Sequence, residues 1–186
     1  MALVSLVEFF LFACIGWILD STFRSIENRS LSLSGYFHGI PLCPLYGFGG
    51  ILLLQTFMQM YGYPPVSTIL VATFVLIGVE YLGGIFAQRY LQERLWDYSK
   101  ELLNIDGYIS LFHSLIWLLL VTIVYLYISP ILFSMHRFLL VSLRSYEGYT
   151  LPIFAVCLLI AAALTAETKK KRLQASRRIS KKRFKS

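Results

Sequence analysis

Cysteine is scarce, and what there is does not pair. The chain has three cysteines in 186 residues, Cys14, Cys43 and Cys157, each alone in an apolar stretch with no Cys-x-x-Cys or Cys/His spacing. Neither a disulfide framework nor a zinc site is expected, and the three read as small buried hydrophobes. Charge is equally thin at 15%, well under the ~25% of a soluble domain. No Gly-x-x-x-x-Gly-Lys-[Ser/Thr] phosphate loop occurs, which excludes ATP hydrolysis by that route. His-Glu-x-x-His and Gly-x-Ser-x-Gly are also missing, so two common hydrolase chemistries lose their signatures. The amino-terminal run "MALVSLVEFFLFACIGWILD" has no basic n-region and no small-x-small cleavage site, and is expected to stay in the mature protein. No metal or other cofactor is expected.

Apolar residues are what the sequence has in abundance. They make up 57% of it, the composition of a polytopic membrane protein. A transmembrane helix needs about 20 largely apolar residues. Five windows qualify: Ala2–Leu19, Ile40–Met60, Val66–Tyr90, Tyr108–Ser134 and Tyr149–Ala166. The third contains Glu80 near its centre. Its twelve Val, Leu, Ile and Phe residues favour insertion by about 5 kcal/mol in all, against about 3 kcal/mol for one central acid. The span inserts. The expected fold is all-α, a polytopic helical bundle of about five transmembrane helices over residues 1–166. Within it, residues 39–50, "GIPLCPLYGFGG", carry two prolines and four glycines. A re-entrant or broken helix is expected there, because Pro41 and Pro44 remove backbone donors. Backbone of that kind is tolerated at membrane depth only under protein cover or against a water-filled cavity. It serves either a bound solute or a packing kink.

The formal charge of +7 belongs to one end of the chain. Ten of the 17 Lys and Arg lie between Lys169 and Lys185, while residues 1–166 hold seven basic and nine acidic side chains. The tail, residues 167–186, reads as disordered and as drawn to anionic lipid headgroups by about 1 kcal/mol per basic residue. With no folded nucleic-acid module, nucleic acid is not an expected partner. Five spans put the two ends on opposite faces. With the tail inside, about 15 basic residues lie inside. Two, Arg137 and Arg144, fall outside in an expected loop over residues 135–148. The positive-inside rule then gives N-out, C-in in a cell membrane.

Few polar residues interrupt the spans, and each needs a reason. Glu80 at mid-membrane is either a functional carboxylate or a hydrogen-bonding lock between helices. Gly83, Gly84 and Ala87 share its helix face, so it is expected to meet a neighbouring helix, and a homo-oligomer is one way to supply it. Asp20 and Arg24 stand one turn apart and are expected to pair at the inner end of the first span. Glu8, near the outer end, is expected to snorkel to water. In the connector, Trp96 and Tyr98 fall where an interfacial aromatic belt would lie. Asp97 and Asp106 are expected to cap helix starts, with Asp106-Gly107 directly before the fourth span. Asn104 is expected to bond loop backbone. His113 reads as a hydrogen-bonder between helices.

Taken in order, "GWILDSTFRS", "GIPLCPLYGFGG", the intramembrane Glu80 and "RLWDYSKELLNIDGYISLFHSLIW" resemble the CmpB-type ABC-transporter type IV family of bacterial multi-pass proteins. The likeness runs from about Gly16 to Trp117, and Trp-Asp-Tyr-Ser followed by Asn and Gly-x-Ile is its most specific part. It implies motif roles for Gly16, Trp17, Pro41, Pro44, Tyr46, Gly47, Glu80, Trp96, Asp97, Tyr98, Asn104 and Gly107. Asp20 stands where the family pattern usually has Glu, and Tyr108 where Arg usually follows the Gly. The resemblance implies a permease-like subunit that needs a separate ATPase or runs on an ion gradient through Glu80, with Glu80, Asp20 and Arg24 along a polar path. Trp96, Asp97, Tyr98 and Asn104 would form a cytoplasmic-face site or an ordered loop plugging the bundle. A membrane-embedded enzyme acting on a lipid, or a scaffold whose tail reads lipid, are the alternatives.

Overall fold

The computed structural model describes residues 2–31, 33, 41–92, 94–149, 152–153, 155–157 and 160. Most of the fifth expected span and the whole basic tail lie outside those residues. Among the described residues the chain is helical, with one isolated β-bridge, Ile105 to Ile109. Helix α1 runs Ala2–Glu27, α2 Pro44–Gln59, α3 Pro65–Phe86, α4 Leu111–Ile123 and α5 Ser129–Leu143. α1 packs on α2, α2 on α3 and α3 on α4, while α5 returns to touch α1 and α2.

Three stretches are long and apolar enough to cross a membrane: Ala2–Ile26, Pro65–Leu91 and Leu111–Tyr146. They carry apolar side chains outward as well as inward. Phe74, Leu82, Ile131, Phe138 and Val141 are all exposed, as befits helices whose solvent is lipid. At 16 residues, or about 24 Å at 1.5 Å per residue, α2 is shorter than a full span. The break expected near its start is visible at Pro41 to Cys43, which are not helical, and Pro44 then begins the helix at its first turn. Proline suits that position because its missing N–H would have had no partner there anyway. The extended lead-in carries the Cys43 N–H to the Ala13 carbonyl at 3.0 Å, a backbone tie between α2 and the middle of α1.

Glycine sets how closely α1 and α2 approach. A Cβ on Gly16 would lie 2.1 Å from the Cβ of Tyr46, and one on Gly50 would lie 2.3 Å from the Phe12 ring. The core proper sits between α2, α3 and α4: Leu53, Phe57, Ala72, Leu76 and Val121, with Trp117, Tyr125 and Phe133 packed around them.

The fourth span continues further than its sequence suggested. α4, a π turn over Val124–Ile128 and α5 form one unbroken helical path. Pro130 does not end it. The wider turn before the proline relieves the clash of its ring with the preceding turn, and the Ser129 hydroxyl donates to the Tyr125 carbonyl at 2.6 Å. The stretch 135–148, expected as a loop, is helical to Leu143 and a 3-10 turn from Arg144 to Tyr149. The apolar window closed at Ser134 and left Arg137 and Arg144 in the connection, but long basic side chains reach water from a helix as readily as from a loop.

Glu8 also departs from expectation. It is fully buried, and its Oε1 lies 2.6 Å from His136 Nδ1 on α5. A partner 128 residues away lets it stay inside rather than snorkel.

Candidate functional site

The site forms where the chain between α3 and α4 folds back against both. α3 widens into a π turn over Ala87–Leu91 and stops at Gln92, whose φ of 57° is left-handed. Residues 94–110 then double back. The Tyr98 N–H donates to the Gly107 carbonyl at 2.9 Å and the Ile105 N–H to Ile109 at 3.0 Å. Asn104 closes the turn from inside: its amide nitrogen donates to the carbonyls of Ser99 and Glu101, and its side-chain oxygen accepts from the Gly107 N–H. The reversal needs left-handed backbone at Leu103, Asp106 and Gly107. At Gly107, with φ +69°, a Cβ would also strike the Arg94 guanidinium.

Charged groups stitch this loop to itself and to α3. Arg94 pairs with Asp97 at 3.1 Å, donates to the Asp106 carbonyl and lies over the Tyr108 ring. Tyr81 on α3 donates to Asp106 Oδ2 at 2.8 Å. Tyr108 packs against Gly84 and donates to Gln88, while the Trp96 indole N–H donates to the Tyr108 carbonyl. Asp106 is therefore not the cap of α4. Ser110 is, accepting from the His113 N–H, because Asp106 and Gly107 are spent in the reversal. Asp97 starts no helix either; it accepts from the Ser99 N–H at 3.0 Å. That bond, with Arg94 and Lys100 nearby, holds its carboxyl below the usual range.

The loop delivers Tyr98 into the bundle. Its ring stacks on His113 at 3.7 Å between centroids, and its hydroxyl donates to Glu80 Oε1 at 3.2 Å. Trp117 of α4 donates to Glu80 Oε2 at 2.9 Å. Glu80 itself is 6% exposed. Both carboxyl oxygens thus accept from neutral donors, one on the loop and one on α4. Behind Tyr98, His113 Nδ1 lies 3.0 Å from Glu101 Oε2, which also accepts from Ser110 at 2.6 Å. The Ser110 hydroxyl first, then His113, keeps the Glu101 carboxyl below its ordinary value. Burial, then the charge of Glu80, raises the Tyr98 hydroxyl well above its own.

On the other side of Glu80 lies a cavity of about 230 Å³ between α1, α2, α3 and the α4–α5 helix. Its wall includes Gly16, Tyr46, Glu80 and Trp117, and it presents no polar surface. The Glu80 oxygens are turned to their donors instead.

Of the residues singled out from sequence, the structure brings Glu80 and Tyr98 into contact, with Trp96, Asp97 and Asn104 holding the loop that makes the contact. Pro41 and Pro44 shape the start of α2. Tyr46 lines the cavity within electrostatic reach of both Asp20 and Glu80. Asp20 and Arg24 pair with each other at 3.2 Å. The small-residue face beside Glu80 is filled within the chain, Gly83 by Leu45 and Gly84 by Tyr108. Sequence reasoning missed Trp117 as the second donor. The signal was there, since an indole N–H inside an apolar span must find a partner. Among the described residues no group of three or more His, Cys, Asp or Glu is placed to hold a metal ion.

A family model described as "Putative ABC-transporter type IV" matches residues 7–167. Neither a curated protein nor a solved structure matches the chain.

Proposed function

The chain belongs to that ABC-transporter type IV family, a permease-like multi-pass membrane protein with no ATPase motif of its own, and we propose that it is the membrane subunit of a transporter driven by a separate ATPase chain. In this reading five spans cross the membrane N-out and C-in. Residues 1–166 form the membrane domain, and residues 167–186 lie on anionic headgroups at the cytoplasmic face. The loop of residues 94–110 is a cytoplasmic plug, and Glu80 is its latch.

One observation carries the proposal. A carboxyl group at membrane depth is held at one oxygen by Tyr98 of the loop and at the other by Trp117 of a spanning helix. Withdrawing the loop removes the Tyr98 bond and its stacking on His113, and leaves Glu80 facing whatever enters. An ATPase acting on the exposed loop surface, where Leu102 and Leu103 stand out, has a direct mechanical line to Glu80. Asp20 and Arg24 mark the inner end of α1 beside the same opening, with Tyr46 between them and Glu80.

Complementation of a deletion strain tests the latch. Glu80→Gln should reach the membrane at the wild-type level and fail to restore the lost phenotype. The wild-type chain, purified in mild detergent, should carry an ATPase subunit visible by native mass spectrometry. Full complementation by Glu80→Gln would overturn the role given to Glu80.

A further inference from the structure

The cavity beside Glu80 has the wrong walls for a polar solute. Ile15, Leu19, Leu120 and Ile128 at its rim are exposed, and Leu76 and Val79 form its back. A hydrophilic molecule placed there would give up its water for surfaces that offer no hydrogen bond, since both Glu80 oxygens already accept from Tyr98 and Trp117. Apolar cavities of about 150 Å³ stay dry and take up hydrocarbon, and this one is larger.

Shape narrows the choice further. The wall contributed by the α4–α5 helix runs from Trp117 to Leu132, about 22 Å at 1.5 Å per residue. A small volume drawn out over that length is a slot, not a bowl. Its open rim lies between two spanning helices, where the surrounding medium is lipid chains. Beyond Leu19, at the inner end, Arg24 follows on α1 after about 8 Å; its side chain is 43% exposed and pairs on one edge with Asp20.

From this wall chemistry, shape and flanking charge we infer that the slot seats one acyl chain of an anionic phospholipid, with the phosphate at the level of Arg24. The inference names the class of molecule that the Glu80 latch faces and to that extent rests on the transporter reading. The binding of the chain does not depend on transport.

Native mass spectrometry of the full-length protein in mild detergent, with phosphatidylglycerol added, reads the result directly. Wild type should retain one lipid per chain. Leu120→Trp combined with Val124→Phe fills the slot and should lower retention at least ten-fold, and Arg24→Gln should lower it several-fold. Phe74→Trp, on an exposed α3 position away from the slot, should bind as wild type does. Melting of each variant is followed in parallel. If the filled pair melts below wild type, Ile15→Trp makes the same test from the opposite wall. Wild type without lipid, or a folded filled variant that retains as much as wild type, overturns the inference. A lipid-free wild type with a filled pair that melts higher also overturns it, and assigns the space to the protein's own packing. Because transport is not read, failure here leaves the Glu80 latch standing, and failure of the complementation test leaves the lipid slot standing.

Discussion

Two hydrogen bonds decide how Glu80 is held, and each can be removed alone. Tyr98→Phe deletes only the hydroxyl donor, and Trp117→Phe keeps an aromatic ring but loses the indole N–H together with part of the side-chain volume packed against the core. A buried acceptor left unsatisfied costs about 1–3 kcal/mol, which for a chain of this size lowers the melting temperature by roughly 2–4 °C per kcal/mol. The two variants should differ in a second readout: only Tyr98→Phe should raise hydrogen exchange in residues 94–110, because only Tyr98 belongs to the loop. Acidity acts on the same loop through other groups. Asp97 and Glu101 are held below their ordinary values by the Ser99 N–H and the Ser110 hydroxyl. A depressed carboxyl contributes stability above its unfolded value, near pH 4, and loses it as pH falls through the lower folded value. Tyr98 is shifted upward, so its contribution is complete below about pH 10 and fades above. Trp96 fluorescence should therefore change below about pH 4 and again above about pH 10.

Among the helices, close approach is concentrated where α1 meets α2. Gly16→Ala drives a Cβ into Tyr46, whereas a Cβ at Gly49 would meet Leu76 at 3.4 Å, an ordinary contact. Gly16→Ala should cost about 1–3 kcal/mol by thermal unfolding, and Gly49→Ala should be close to neutral. Equal losses at both would mean that α1 and α2 are not held at this separation. The elements differ in how plainly the sequence announced them. α1 and α3 were legible as long apolar runs, and the start of α2 was legible from Pro41 and Pro44, since proline restricts backbone wherever it stands. The extent of the α4–α5 helix was not. The apolar window closes at Ser134, and what carries the helix through Pro130 and onward is a π turn and the Ser129 hydroxyl, which no periodicity displays. The loop of residues 94–110 was legible as specific through Trp96, Tyr98 and Asn104. A loop plugging the bundle was one of the two courses expected for it, but the reversal that turns it inward was not legible, because nothing local marks Leu103 for left-handed backbone.

For the molecule as a whole, the bond between Glu8 and His136 joins the first helix to α5 and closes the ring of helices. Glu8 was misread because a partner 128 residues away leaves no trace in local spacing. Breaking this pair at one end should be costly. His136→Leu leaves a buried carboxyl without its partner and should cost about 1–3 kcal/mol, while Glu8→Leu with His136→Leu should recover most of it. A double mutant as unstable as the single one would mean that the two side chains are held for other reasons. The same bond sets an interval of time. At roughly 5–20 residues per second of synthesis, His136 emerges about 6 to 26 s after Glu8. Through that wait α1 must sit in the bilayer with its acid unanswered, whereas Trp117 follows Glu80 within about 2 to 7 s. The Glu80 contacts can thus form while the ribosome is still at work, and the tie between the first helix and α5 closes after them.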